Sequence, residues 1–350
     1  MRVKTTFLLM LYQRILMKIK IGNEFIGESN PAFIVAEAGI NHNGDLKIAK
    51  KLIQEAKDSG ADAIKFQTFR AEDLTSRKSK FFKIFKRIEL DFSDYLELSD
   101  FAKSKNIIFF STPFSDEAVD LLKKIKIPAF KIASGDLTDI PLIKYVAKTK
   151  KPIILSTGMA NINEISSAIK AIKNCNNNKI ILMHSVSSYP TPISDVNLHA
   201  ITTLKEKYPY PIGFSDNGGD LLVPVISIAM GAKIVEKHFT VDKKLPGPDH
   251  KFSTNPKQFQ QLVTNIRNTE KMMGDGIKKC KPSELINRIE ARRSVTSLKM
   301  ISKNCKIQRH MIGVKRPAKG IEPKYYYKVI GKIARRDIKI DDPVNWNDLK

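Results

Sequence analysis

The sequence has few cysteines and no long apolar run, and each absence excludes a class of protein. Only 3 cysteines occur in 350 residues, and no two of them form a Cys-x-x-Cys pair. This usage argues against a disulfide framework and a thiolate zinc site, and it predicts a reducing, cytoplasmic location. Because no run of about 18 apolar residues is present, neither a membrane-spanning helix nor a membrane partner is expected.

Glycine-rich phosphate loops are missing as well. The first strand-like run, Phe33–Ala38, leads into the letters AGINHNG, which contain no Gly-x-Gly-x-x-Gly pattern. Open, doubly wound sheets that bind dinucleotides usually carry that pattern after their first strand. Its absence therefore disfavours an open sheet of this kind.

Positive charge is what the sequence has in excess. There are 60 Lys and Arg residues and 36 Asp and Glu residues, which gives a formal net charge of +24. The apolar fraction of 42% is that of an ordinary globular protein rather than a disordered tail. Such a charge suits a nucleic-acid partner, a small anionic substrate or a lysine-rich solvated surface, and the solvated surface is the simplest interpretation.

Between Pro31 and Ile277, short runs rich in β-branched residues alternate with longer segments of helical spacing. This alternation predicts parallel β/α units, and a count of eight favours a closed (β/α)8 TIM barrel over an open sheet. The predicted strands are Phe33–Ala38, Ala63–Gln67, Ile107–Ser111, Ala129–Ala133, Ile153–Ser156, Ile180–His184, Ile212–Ser215 and Lys233–Glu236.

Beside the barrel, the chain is predicted to contain a short extension and a second domain. Residues 1–17 have a basic start and a short apolar stretch without a small-x-small cleavage site, so they are interpreted as a non-essential extension. The barrel is expected at 18–278, followed by a linker at 279–289. Short alternating runs and turn residues at 290–350 predict a small, basic, β-rich domain.

Every predicted barrel strand ends in polar or ionisable residues, although its body is apolar. In TIM barrels, the C-terminal ends of the strands carry the active site. A single His or Lys at a strand end is more often structural, but burial of eight such sets without a ligand would be strongly unfavourable. These strand ends carry Glu37, Lys65, Gln67, Thr112, Lys131, Ser134, Ser156, His184, Ser215, Asn217, Glu236 and His238.

The types of these residues indicate what the site binds. Side chains alternate along a strand, so Lys65 shares a face with Gln67, and Glu236 shares a face with His238. Two lysines among several hydroxyls suit an anion such as phosphate. His238 with nearby carboxylates or amides suits a divalent metal ion.

Nine short segments, in order along the chain, carry a family resemblance. They read AEAGINHNGD, GADAIKFQT, STPFS, FKIASGD, ILSTGMA, HSVSSYPTP, IGFSDN, EKHFT and GPDHKFS. The series resembles the sialic acid synthase family, also called N-acylneuraminate or nonulosonate synthases. Residues 290–350, which include VKRPAKGIEPKYY, are similar to the antifreeze-like (SAF) domain of that family, which has a β-clip fold.

The resemblance implies a condensation of phosphoenolpyruvate with the open-chain aldehyde of an N-acyl hexosamine, which yields a nine-carbon 2-keto acid and phosphate. It also implies Mn²⁺ or Mg²⁺, which would polarise the aldehyde oxygen. Legionaminate, pseudaminate and spore-coat sugar synthases share these segments. The acceptor therefore stays open between N-acetylmannosamine and a diacetamido-trideoxyhexose. The related heptulosonate and octulosonate synthases lack the small C-terminal domain.

Site residues follow from the resemblance, position by position. Glu37 would position water or move a proton, and Ser187 stands where the family often has Asn. Catalytic roles are expected for Glu37, Lys65, Lys131 and Asp249. Contacts to phosphoenolpyruvate or the sugar are expected from Gln67, Thr112, Ser134, Ser156, Ser187, Tyr189, Ser215 and Arg316.

One metal-binding position departs from the family pattern. The family has Ser-Asp-His after the seventh strand, and this chain has Asn217 in place of that metal-binding His. His238 matches the other ligand, and Glu236 would orient the metal site. Because an amide oxygen is a harder ligand than imidazole, we expect weaker binding, a harder metal, recruitment of Asp216 or a weakly active paralogue.

By the same resemblance, Arg316 would reach the N-acyl group of the sugar from the SAF domain of a partner subunit. A domain of about 60 residues is marginally stable alone, so a domain-swapped homodimer is expected. The alternative from another class is a basic nucleic-acid-binding protein, for which Lys324, Tyr325–Tyr327 and Lys328 offer adjacent basic and aromatic residues. That alternative does not require eight polar strand ends, so no nucleic-acid partner is expected.

Overall fold

The computed structural model describes residues 16–350, so the predicted extension at 1–17 lies outside the described residues except for its last two positions. The chain divides into two compact units, and the division falls between Gly274 and Asp275. Each unit has its own buried apolar core. Within the described residues, no helix is long and apolar enough to cross a membrane.

The first unit contains a closed barrel of eight parallel strands, which confirms the predicted TIM barrel. A short antiparallel hairpin, β1 (Ile19–Ile21) with β2 (Glu24–Ile26), precedes it. The barrel strands follow one another in chain order, and the last pairs with the first. They are β3 (Phe33–Gly39), β4 (Ala63–Thr68), β5 (Ile108–Pro113), β6 (Phe130–Ile132), β7 (Ile153–Ser156), β8 (Ile180–Ser185), β9 (Ile212–Asp216) and β10 (Ile234–His238).

Barrel strands are buried on both faces, because one face fills the barrel and the other packs against helices. All seven residues of β3 are buried, for example. The register of the strands brings ionisable residues side by side near their C-terminal ends. His238 of β10 neighbours Glu37 of β3, which in turn neighbours Lys65 of β4.

Helices surround the barrel, and several begin at residues that satisfy the first free backbone amides. Asp45 accepts hydrogen bonds at the start of α1 (Leu46–Asp58), and Asn161 with Glu164 forms a capping box at α7 (Ile162–Asn174). Apolar residues on one side of each helix, such as Leu52 of α1, pack into the core. The helices are α1 (Leu46–Asp58), α2 (Ala71–Leu74), α3 (Phe82–Ile88), α4 (Phe92–Ser104), α5 (Asp116–Lys124), α6 (Ile140–Lys148), α7 (Ile162–Asn174), α8 (His199–Lys207), α9 (Leu222–Ala229) and α10 (Pro256–Met273).

The second unit is a small antiparallel structure, in agreement with the predicted β-rich domain. Its strands β11 (Ser294–Ser297) and β12 (Ile312–Lys315) pair with each other, and single bridges extend the antiparallel pairing. This unit also has two short helices, α11 (Leu285–Glu290) and α12 (Tyr326–Val329), and short 3-10 helices at Pro282–Glu284, Arg309–Met311, Pro323–Tyr325 and Trp346–Asp348. The core is mostly aliphatic and contains Val295, Ile301, Ile307, Ile312, Ile321, Val329, Ala334, Ile338, Val344 and Leu349.

Candidate active site

Four buried ionisable side chains meet inside the barrel. Glu37 comes from β3, Lys65 from β4, Lys131 from β6 and Glu236 from β10. Lys65 Nζ lies 2.9 Å from Glu37 Oε2 and 3.5 Å from Glu236 Oε1. Lys131 Nζ lies 3.9 Å from the same oxygen of Glu236. Two positive and two negative charges therefore offset each other, as buried charges must.

Hydroxyl groups accept hydrogen bonds from both lysines. Lys65 Nζ donates to Thr112 Oγ1 at 3.1 Å, and Lys131 Nζ donates to Ser156 Oγ at 2.5 Å. Ammonium groups and hydroxyls can all donate to an oxyanion. The lysines and hydroxyls together therefore form a site that suits a small anion.

Two further hydroxyls converge on the backbone of Gly158, which follows β7. The Gly158 N–H donates to Ser134 Oγ at 3.0 Å. A Cβ atom at this position would lie 2.8 Å from Ser134 Oγ and would clash with Ser187 Oγ, so a residue with a side chain would displace them. Ser187 Oγ is buried without a hydrogen-bond partner in the described part of the chain. Because buried hydroxyls are normally paired, this atom fits an oxygen of a ligand.

These side chains border one cavity of about 530 Å³, a volume that suits small reactants. All predicted site residues line this cavity except Ser187, which lies beside Gly158, and Arg316, which belongs to the second unit. The strand-end residue His184 lies outside it and is hydrogen-bonded through Nε2 to the Val196 carbonyl oxygen at 2.8 Å. His184 is therefore one of the structural histidines that strand ends often carry.

Burial and pairing give the four ionisable groups different proton affinities. Burial raises the pKa of Glu37, although Lys65 opposes the rise. Burial also lowers the pKa of Lys131 to about 8. For Lys65 and Glu236, burial disfavours the charged form, but opposite charges nearby outweigh it, so the pKa of Lys65 is raised and that of Glu236 is lowered. Glu37 is therefore the carboxyl group best suited to hold or move a proton.

A second group of donors faces the cavity beside this cluster. His238 Nδ1 and Glu236 Oε2 are buried and make no hydrogen bond to any described residue. Asp249 Oδ2 lies 3.7 Å from His238 Nδ1. Asn217 Nδ2 donates to the Val186 carbonyl oxygen at 2.8 Å, which leaves the amide oxygen as the side of that group open to a cation. An imidazole nitrogen among oxygen donors fits a divalent cation such as Mn²⁺ or Mg²⁺.

Asp216 is not part of this group of donors. Its carboxylate pairs with the buried Lys237, whose two neighbours in sequence, Glu236 and His238, face the cavity on the opposite side of the strand. For Asp216 to replace the missing His ligand, its carboxylate would have to leave Lys237. Among residues 16–350, no three His, Cys, Asp or Glu side chains are arranged to hold a metal ion. His238, the amide oxygen of Asn217 and ligands from substrate or water would together hold a cation here.

One wall of the cavity is apolar, and sequence analysis did not identify it. Phe81, Ile84 and Phe85, at and within α3, line this wall together with Phe114 after β5. Phe81 is 49% exposed and Ile84 is 38% exposed, which is high for large apolar side chains. In the sequence these residues alternate with lysines, as in a surface helix. Only the packing of α2–α4 against the barrel shows that they face the cavity.

Comparison with known families and proteins gives a consistent result. The model of the NeuB family matches residues 52–278, and that of the SAF domain matches residues 292–350. N,N'-diacetyllegionaminic acid synthase of Campylobacter jejuni is 42% identical over 88% of this chain and 97% of its own length. Pseudaminic acid synthase of the same species is 34% identical over 95% of this chain and 100% of its own length.

A solved structure agrees with these matches. The crystal structure of N-acetylneuraminic acid (sialic acid) synthetase from Leptospira borgpetersenii covers 77% of this chain and 95% of its own, with a TM-score of 0.74 and 40% identity. The fold and the sequence thus lead to the same group of proteins.

Proposed function

This chain belongs to the NeuB family, and we propose that it condenses phosphoenolpyruvate with the open-chain aldehyde of an N-acyl hexosamine to give a nine-carbon 2-keto acid sugar and phosphate. The observation that carries the proposal is the convergence of Lys65, Lys131 and their hydroxyl partners in one cavity at the strand ends. Relatives named as legionaminic and pseudaminic acid synthases support it. The enzyme would be a transferase that forms a C–C bond.

Phosphoenolpyruvate would bind where the lysines and hydroxyls meet. Its phosphate and carboxylate carry the negative charge that these donors suit. Both lysines are paired with glutamates in the structure, so the ligand would take over part of this pairing rather than meet an isolated positive charge. Ser134 and Ser187, next to Gly158, would add hydroxyl donors to the phosphate oxygens.

The sugar would lie on the other side of the cavity, between Gln67, Tyr189, Asp249 and the apolar wall. A diacetamido-trideoxyhexose presents acetyl methyl groups and a carbon without a hydroxyl to such a wall, whereas N-acetylmannosamine presents more hydroxyls. A hydroxyl that is buried without a hydrogen-bond partner is unfavourable. The relative named for a diacetylated product supports the same choice, so a diacetamido-trideoxyhexose is the favoured acceptor.

The proposed reaction forms one C–C bond and releases phosphate. C3 of phosphoenolpyruvate attacks the aldehyde carbon, one C–C bond forms, and the aldehyde oxygen takes up a proton. Water then bonds to C2 and gives up one proton, which balances the proton taken up by the aldehyde oxygen. The C2–O bond to phosphate breaks as the remaining C2 hydroxyl transfers its proton to the leaving phosphate and becomes the 2-keto group. Glu37, whose pKa is raised by burial and which contacts Lys65, would take the proton from water. Lys65 and Lys131 would stabilise the departing phosphate.

A divalent cation would be held by His238 and the amide oxygen of Asn217, with Glu236 beside them. When bound, such a cation polarises a carbonyl oxygen and fixes its orientation. The remaining work falls to the protein side chains. Ser215 Oγ donates to Glu236 Oε1 at 3.2 Å, and this hydrogen bond keeps the second oxygen of Glu236 directed away from Ser215.

The proposal extends to a second copy of the chain. Arg316 would contact the N-acyl group of the sugar bound in the barrel of a partner subunit, within a domain-swapped homodimer. The enzyme would act in the cytoplasm without a nucleic-acid or membrane partner.

Phosphate release tests the proposed function directly. The protein is incubated with phosphoenolpyruvate, Mn²⁺ and a panel of N-acyl hexosamines, with Lys131→Ala as the control that should release no phosphate. Turnover with a diacetamido-trideoxyhexose supports the proposal. Turnover with N-acetylmannosamine alone would identify that sugar as the acceptor instead. Binding of phosphoenolpyruvate without release in the presence of any acceptor contradicts it and indicates a weakly active paralogue.

A further inference from the structure

Lys237 is a fully buried lysine that the proposed reaction does not use. It lies on β10 between Glu236 and His238, which both line the cavity, so its side chain leaves the opposite face of the strand. Its cross-strand neighbour on β9 is Asp216. The residue therefore sits directly behind the part of the site where a cation would bind.

The ammonium group of Lys237 donates hydrogen bonds to three acceptors in one short segment. Nζ donates to Asp216 Oδ2, to the Gly218 carbonyl oxygen and, at 3.2 Å, to the Asp220 carbonyl oxygen. The other carboxylate oxygen of Asp216 accepts from the Gly218 N–H at 2.9 Å. Residues 216–220, which follow β9, are thus closed around a single buried charge.

Asn217 lies within this closed segment and faces the cavity. Its backbone carbonyl oxygen accepts a hydrogen bond from the Thr191 N–H at 3.2 Å. Its side-chain Nδ2 donates to the Val186 carbonyl oxygen at 2.8 Å and to Ser185 Oγ at 3.3 Å. The flanking residues Asp216 and Gly218 are both bonded to Lys237. The position of Asn217 is therefore fixed on one side by the segment after β8 and on the other by Lys237.

A buried ion pair contributes little net stability, because apolar residues of similar size often stabilise a fold as well or better. A buried charge can instead serve to fix geometry, since three directed hydrogen bonds from one ammonium group specify where a loop lies. Lys237 joins the strand that carries His238 to the loop that carries Asn217.

We infer that Lys237 is a positioning residue: it holds segment 216–220 so that the amide oxygen of Asn217 and the imidazole of His238 face one cation. The inference rests on the proposed function for the identity of the cation, but the loop geometry is independent of it. Removal of a residue that holds a metal ligand in position commonly weakens metal affinity by about 10- to 100-fold.

The test compares Lys237→Met with Arg267→Met in the full-length protein without substrates. Arg267 also forms an ion pair, with Asp62 Oδ2 at 2.9 Å, but Asp62 precedes β4, at the opposite end of the barrel. Mn²⁺ affinity is measured by calorimetry, and hydrogen exchange is measured for the amides of 216–220. We expect Lys237→Met to weaken Mn²⁺ binding at least tenfold and to speed exchange in 216–220, whereas Arg267→Met lowers Tm and changes neither.

Unchanged Mn²⁺ affinity and unchanged exchange in a folded Lys237→Met protein would overturn the inference. If that variant does not fold, Asp216→Asn serves instead, because it keeps an acceptor for the Gly218 N–H while it removes the charge that Lys237 pairs with. It should show the same two changes at smaller size, and the absence of both would overturn the inference. Failure of the proposed function is seen separately, as wild-type protein that releases no phosphate while the exchange difference persists.

Discussion

At the scale of single residues, the state of charge of Lys131 controls the balance inside the barrel. Its ammonium lies within 3.9 Å of Glu236 and is bonded to Ser156, and burial lowers its pKa to about 8. Above that pH the free enzyme loses one of the two positive charges proposed to bind phosphoenolpyruvate. The KM for phosphoenolpyruvate should therefore depend on pH in a range where ordinary lysines do not titrate.

We expect the KM for phosphoenolpyruvate to rise about tenfold from pH 7 to pH 9, because one pH unit above the pKa leaves about a tenth of Lys131 protonated. Initial rates at saturating acceptor give this profile. The Lys131→Arg variant is the control, because its guanidinium stays charged throughout this range and its KM should stay constant. A flat wild-type profile would show that Lys131 does not bind the anion.

Gly158 is the residue where a single methyl group should be most informative. In Gly158→Ala, the added Cβ would displace Ser187 and Ser134, whose hydroxyls are proposed to contact the phosphate. We expect the KM for phosphoenolpyruvate to rise about tenfold or more, with little change in the KM for the sugar. Steady-state kinetics with each substrate varied in turn provide the measurement.

Gly135→Ala is the matched control for this change. Gly135 is next to Ser134, but a Cβ there would meet no atom within 4 Å. It should leave both KM values near those of the wild type. If the two alanine variants behave alike, the hydroxyls beside Gly158 do not bind phosphate.

At the scale of elements, the sequence predicts the barrel well because the signals for its strands are local. Short β-branched runs and polar strand ends place Glu37, Lys65, Lys131 and Glu236 without knowledge of the packing. All barrel strands are buried on both faces, however, so the sequence alone does not show that Lys237 points away from the cavity and Glu236 into it. Whether Asp216 pairs with Lys237 or faces the cavity depends on which face of β10 points inward.

The local sequence of helix α3 does not show whether its apolar residues face solvent or the cavity. Its apolar residues alternate with lysines, and the pattern fits a solvated helix as well as a cavity wall. The choice depends on how the long segment between β4 and β5 packs, which is a tertiary property. Ser187 is a similar case: the family resemblance predicts a ligand contact for it, but its approach to Gly158 follows only from how the loops pack.

Substitution in α3 tests whether this wall selects the sugar. We expect Ile84→Asn to lower the ratio of kcat/KM for a diacetamido-trideoxyhexose over that for N-acetylmannosamine about tenfold, because it removes apolar contact and adds a polar group. Competition between the two acceptors in one assay measures the ratio directly. Lys83→Asn, on an exposed neighbouring position that does not line the cavity, should leave the ratio unchanged. An equal effect of both substitutions would contradict a selective role for the wall.

At the scale of the whole molecule, the net charge of +24 is separate from the catalytic charge. Lys65 and Lys131 are balanced by Glu37 and Glu236, so this cluster adds nothing to the excess. About half of the excess lies in residues 277–350, where 20 Lys and Arg stand against 7 Asp and Glu. The second unit is thus the more basic part of the protein per residue, and Arg316 is its one residue with a proposed role at the reaction site.

The proposed domain-swapped dimer predicts complementation between two inactive variants. Lys131→Ala removes a residue of the barrel, and Arg316→Ala removes a residue of the second unit. In a mixed dimer, the intact barrel of the Arg316→Ala chain would meet the intact Arg316 of the Lys131→Ala chain. Co-expression of both chains at equal levels should then restore about a quarter of the wild-type activity, because half of the dimers are mixed and each has one complete site.

The same experiment distinguishes a shared site from a site within one chain. If Arg316 served its own barrel, neither chain of a mixed dimer would hold a complete site, and no activity would return. Differently tagged chains allow the mixed dimer to be isolated, which separates failure of assembly from failure of complementation. An isolated mixed dimer without activity, or a monomer with full activity, would contradict the swapped arrangement. Recovered activity in that dimer would show that the acceptor site is completed by a second copy of the chain.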